Sequence, residues 1–160
     1  MRWIRWLGFL AGLTLTLGAA AAAPEPALAI VTHPGLEGIA PRLNVLARIF
    51  RRRQRITASG GPLVPVNLPV KHPLRRLLSR KLFHRDPEGM RAFWDRQYFH
   101  GILPPPVLGS QEAVLRFVQR TPGALGYVAR CRVDSRVRVL MVLPLTGLSD
   151  RDYARLCRRP

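Results

Sequence analysis

Carboxylates are scarce in this chain: nine Asp and Glu stand against 26 Lys and Arg. They are dispersed, with no obvious pair to divide general-acid and general-base work. The four histidines, His33, His72, His84 and His100, are singletons at spacings that suit no metal, so neither a metal site nor a cofactor is expected. Gly-x-Ser-x-Gly, His-Glu-x-x-His and a Gly-Lys-Ser/Thr loop are all missing. Those arrangements expose a nucleophile, hold zinc or cradle nucleotide phosphates. Nothing provides for catalysis, and the protein is read as a non-enzyme.

Lysine is nearly absent as well. Only Lys71 and Lys81 occur, and the other basic residues are arginine, which carries the net charge to +17. Such a charge sets up a positive field that attracts anions, phosphate and anionic envelope surfaces among them. It also raises nucleic acid as a partner. The arginines are scattered over most segments, however, and the N-terminus reads as an export signal, so nucleic acid is not expected.

No hydrophobic run is long enough to span a bilayer. Trp6 to Leu17 gives about a dozen apolar residues, where roughly 20 are needed. The basic start Met1–Arg5 precedes that run and the small residues Gly18 to Ala23 follow it, which is the layout of a secretory signal peptide. Cleavage fits after Ala21 or Ala22, because Pro24 disfavours a cut directly before it. Ala29 also satisfies the small-residue rule, but cleavage there would truncate a strand. The expected organisation is a signal peptide over 1–22, one domain over 23–143 and a polar C-terminal tail over 144–160. The mature product, at +15 without Arg2 and Arg5, is expected as a periplasmic monomer. Only Cys131 and Cys157 would enter that oxidising compartment. A disulfide tying down the tail and two unrelated buried thiols both remain open.

Short runs rich in Val, Ile or Leu, bounded by Pro or Gly, predict strands at Leu28 to Thr32, Leu63 to Asn67, Ala124 to Val128 and Val137 to Val142. Apolar residues at helical spacing lie between them. Leu43, Leu46, Ala47 and Phe50 form one such face, and Leu74, Leu77, Leu78 and Leu82 form another behind Pro73. Met90, Phe93, Trp94 and Tyr98 form a third after "DPEG", where Asp86 can cap and Pro87 can start the helix. Ser110 can cap a fourth helix holding Val114, Phe117 and Val118. Strands separated by helices predict an α/β fold with a small, mostly parallel sheet flanked by helices.

Two segments stand out chemically. In "VPVNLPVKHPLRRLL", Val64 to Leu78, a strand leads through a short loop into a helix starting near Pro73. The amides and dipole of a helix start favour an anion, and Lys71, His72 and Arg75 add positive charge beside them. In "RAFWDRQYFHG", Arg91 to Gly101, aromatic and basic residues interleave in a way that could stack on bases or sugars. At helical spacing such aromatics are more often core, and they are read as core here.

The runs "LVPVNLPVKHPLRRLLSRKLFHRDPEGMRAFWDRQYFHG" and "EAVLRFVQRTPGALGYV" resemble a group of short, exported relatives of the phosphate-type periplasmic solute-binding proteins. The resemblance covers roughly Leu28 to Val142. It implies the class II periplasmic binding fold, with phosphate held in a cleft by amides and hydroxyls, and association with an ABC transporter. Full-length phosphate binders carry an Arg and a Ser-Gly-Thr run where this chain has Asn67 and Lys71-His72-Pro73. The anion-binding candidates are therefore Asn67, Lys71, His72 and Arg75, with Thr32 and His33 at the end of the first strand completing the wall. The expected partners are phosphate or a similar oxyanion and a membrane transporter or anionic envelope component. The alternative is a periplasmic interaction or scaffold protein that has lost its ligand.

Overall fold

The computed structural model describes residues 25–158. Strand β1 (Ala27–Thr32) lies inside a four-stranded sheet with β2 (Val64–Pro65), β3 (Ala124–Ala129) and β4 (Arg138–Pro144), in the order β2-β3-β1-β4. Helices α1 (Leu43–Phe50), α2 (Pro73–Phe83), α3 (Arg91–Phe99), α4 (Gln111–Arg120) and α5 (Asp150–Cys157) complete the domain. Among the described residues, no helix is long and apolar enough to cross a membrane. The segment read as a signal peptide and its expected cleavage site lie outside the described residues.

The sheet differs from expectation in strand sense. β1 pairs antiparallel with both β3 and β4, and only β2 with β3 is parallel. Apolar runs specify strands but not the direction of their partners, and the partners of β1 lie between 93 and 117 residues further along the chain. β2 is also shorter than expected. Pro65 has no N–H to give to a ladder, and beyond it Asn67 pairs with Val107 of a loop instead.

All six residues of β3 are buried, because helices cover both of its faces. Gly126 faces α4, and Tyr127 points the opposite way, its ring 6.0 Å from that of Phe50 in α1. α4 begins on Ser110, whose Oγ accepts from the Ala113 N–H at 3.1 Å. It ends at Thr121, and Gly123 then turns the chain into β3 at a φ of 78°. A Cβ at position 123 would stand 2.0 Å from the Pro62 carbonyl oxygen, so the corner needs glycine on both counts.

Asp86 does not cap a helix. Its carboxylate reaches back to Arg80 at 2.8 Å and Arg76 at 3.8 Å, and a 3-10 turn at Glu88–Met90 leads into α3. The aromatics of α3 divide. Phe93 and Trp94 pack against the core, whereas Tyr98 and Phe99 are 65% and 86% exposed. Their reading as core holds for the first pair only.

Residues 144–158 are joined to the domain rather than trailing from it. α5 is capped by Ser149, and Tyr153 is buried with its hydroxyl donating to the Ala27 carbonyl at 3.1 Å. Gln111 Nε2 donates to the Leu156 carbonyl at 2.9 Å, and Cys131 and Cys157 form a disulfide.

Candidate oxyanion site

The loop from Asn67 to Arg75 is held at its base by buried polar contacts. Asn67 is 1% exposed; its N–H donates to the Pro106 carbonyl, and its own carbonyl accepts from Leu108, each at 2.8 Å. Tyr127 Oη donates to Asn67 Oδ1 at 3.4 Å and accepts from the Leu68 N–H at 3.0 Å. Burial pushes the Tyr127 phenol up to about 12, against the opposing pull of the Arg75 charge and the Leu68 N–H. Asn67 therefore positions the loop, and its side chain is turned inward.

Above this base the chain turns tightly, with the His72 N–H donating to the Pro69 carbonyl at 2.9 Å. Lys71 is exposed at the turn. His72 caps α2 through Nδ1, which accepts from the Leu74 N–H at 3.2 Å, and Pro73 occupies the first helical position. Half-buried, the imidazole has its pKa lowered by loss of solvent.

One turn into α2, Arg75 folds back toward Tyr127. Its Nε is buried and has no hydrogen-bond partner, and burial lowers the guanidinium pKa. Among the described residues no carboxylate pairs with it. A desolvated cation without a counter-charge is costly, and it favours an anion beside it.

His72 also borders a groove of about 370 Å³ that the start of α4 shares. The start of α4 contributes Ser110, Gln111 and Glu112 to its lining, together with Arg132, Arg155 and Arg158. Glu112 is neutralised there by Arg136 at 2.7 Å, Arg116 at 3.2 Å and Arg132 at 3.7 Å. The Arg136 hydrogen bond holds its carboxyl below the usual range. Arg132, buried, also donates to the Arg158 carbonyl. Ser110, which the sequence predicts as a cap, also walls this groove, and nothing in its spacing marks that second role. Arg155 and Arg158 come to it on the α5 segment, which the Cys131–Cys157 bond ties down.

Thr32 and His33 lie elsewhere. Because β1 runs against β3, Thr32 is level with Leu125, and the His33 N–H donates to the Ala124 carbonyl at 2.9 Å. Asn67 and the loop lie toward the other end of β3. Thr32 Oγ1 donates to the Arg138 carbonyl at 3.5 Å, and His33 Nδ1 accepts from the Gly35 N–H at 3.0 Å. A parallel β1 would have delivered both residues to the loop. The antiparallel one takes them away, so they do not complete its wall. Lys71 and His72 lie on the loop, and Arg75 lies in the first turn of α2.

The same arrangement of sheet and helices occurs in solved solute-binding proteins. A Clostridium perfringens protein described as a phosphate ABC transporter substrate-binding protein, with bound phosphate, superposes with a TM-score of 0.57 and 15% identity. The match covers 71% of this chain and 44% of that one. PstS from Borrelia burgdorferi gives a TM-score of 0.50 at 16% identity, over 78% of this chain and 49% of its own. The chain shares their fold. It spans about half the length of either structure. No family model matches the chain, and no curated protein matches it.

Proposed function

We propose that this is an exported, non-enzymatic protein that binds phosphate or a similar oxyanion at the β2–α2 loop. In this reading it works beside an ABC transporter in the periplasm. Arg75 carries the proposal: a half-buried guanidinium at a helix start, its Nε unpartnered and no carboxylate paired with it among the described residues, which an anion would neutralise. Lys71 supplies a second charge at the rim, and His72 a ring nitrogen, while Asn67 holds the loop through Tyr127. The neighbours' fold and the phosphate named with one of them support the same ligand class.

A second reading, a scaffold that has lost its ligand, draws on a specific observation. The N–H groups of Asn67, Leu68, His72 and Leu74 are each donated within the protein, and Pro73 has none. Ligation in this chain therefore falls mainly on side chains.

Thermal unfolding in phosphate, sulfate and chloride at matched ionic strength separates the two readings. Ligand at about 100 times its dissociation constant stabilises the native state by roughly 2.7 kcal/mol. A phosphate increment beyond that of chloride, lost in Lys71→Ala with Arg75→Ala, supports the oxyanion site. Equal responses to all three salts support the scaffold.

A further inference from the structure

At the opposite end of α2 from the loop, four arginines surround a basin of about 400 Å³ floored in part by Phe83, Met90 and Phe93. They come from three places: Arg51 and Arg53 just after α1, Arg85 just after α2, and Arg96 within α3. Among the described residues, no acidic one lines the basin. The neighbouring carboxylates, Asp86 and Glu88, are held by Arg80 at 2.8 Å and Arg76 at 3.1 Å.

Two of these cations are held by aromatic rings. The Arg51 guanidinium sits 4.7 Å from the centre of the Phe83 ring, and that of Arg53 5.9 Å from Phe93. A guanidinium packed on a ring face keeps its N–H edge free for a ligand and loses little freedom on binding. Burial, and after it the nearby Arg53 charge, lowers the Arg51 pKa. α2 has 11 residues, so its two ends are about 16 Å apart. The basin and the loop are thus separate places, and neither needs the other.

We propose that the Arg51, Arg53, Arg85 and Arg96 basin binds linked or clustered phosphoryl groups, either a soluble oligophosphate or the phosphate headgroups of an anionic lipid. Several guanidinium forks converging from different elements match several charged oxygens better than one small tetrahedral anion. The apolar floor excludes water from beneath the contacts and strengthens them.

The test is calorimetric titration of tripolyphosphate into the purified full chain at constant ionic strength. The probes are wild type, Arg53→Ala with Arg96→Ala, and the charge-matched control Arg120→Ala with Arg130→Ala. All four replaced arginines are exposed, and Arg53→Gln with Arg96→Gln replaces the basin variant if that one fails to fold. Saturable binding of one tripolyphosphate per chain is expected, weakened about tenfold or more in the basin variant and retained in the control. No saturable binding, or equal weakening in both variants, overturns the proposal and leaves only the general positive field. Sedimentation with phosphatidic acid vesicles then identifies the source. Basin-dependent binding that tripolyphosphate displaces indicates headgroups. Vesicle binding that is absent, or that is equal in wild type and variant, indicates the soluble oligophosphate.

Discussion

Gly126 lies directly beneath Val114. A Cβ built on Gly126 would stand 2.6 Å from Val114 Cγ1 and 3.0 Å from Val66 Cγ2, well inside contact distance. α4 can settle on β3 only because residue 126 has no side chain. Both valines are fully or nearly fully buried and stiff at χ1, so neither can swing aside. Gly126→Val should overpack this contact and lower stability by about 1–3 kcal/mol. Denaturant unfolding measures it, and an unchanged midpoint would mean that α4 does not press on β3.

The Cys131–Cys157 bond closes a separation of 26 residues, for which chain entropy predicts roughly 3–4 kcal/mol of stabilisation. Cys131→Ser with Cys157→Ser should lose much of that stability. It should also loosen α5, exposing the amides of Asp150–Cys157 to faster hydrogen exchange than those of β3. Uniform exchange across the whole chain would mean that the bond does not specifically hold α5.

His72 should respond to acid in a defined direction. Its pKa is lowered in the folded protein by burial, so its contribution is present above about 6.5, the unfolded value. That contribution is lost as pH falls through the lower folded value. Protonating Nδ1 would also remove the acceptor for the Leu74 N–H and uncap α2. An added positive charge would help an anion, but here it comes with loss of the cap. The His72 ring resonances should titrate with a midpoint below 6.5, and a midpoint above it would contradict the capping geometry.

Arg75 offers a sharper test of burial. Without ligand, an unpaired half-buried cation burdens the fold, so Arg75→Met should leave the ligand-free protein as stable or more stable. A loss above about 2 kcal/mol would instead show that the guanidinium is satisfied within the protein.

Local features were the most legible in the sequence. α1, α2 and α4 sit where apolar spacing, Pro73 and Ser110 placed them. Strand direction was not legible, because Thr32 and Leu125 are neighbours only through long-range pairing. That single reversal also separated Thr32 and His33 from the loop. Asn67 looked like a donor to an anion and proved to be a partner of Tyr127, 60 residues away in sequence. Arg75 was placed correctly on the helix start, but its inward turn and missing counter-charge depend on packing that spacing does not encode. α5 was not legible because half of its eight residues are charged, and its docking rests on Tyr153, Leu156 and the disulfide.

The central claim is that Lys71, His72 and Arg75 form an oxyanion site, and titrating orthophosphate into the purified chain tests it most directly. Wild type is predicted to give saturable heat for one phosphate per chain, persisting in Arg53→Ala with Arg96→Ala. The heat should disappear in Lys71→Ala with Arg75→Ala. Heats that match those of chloride, or that are the same in wild type and in the Lys71 and Arg75 variant, would contradict the account.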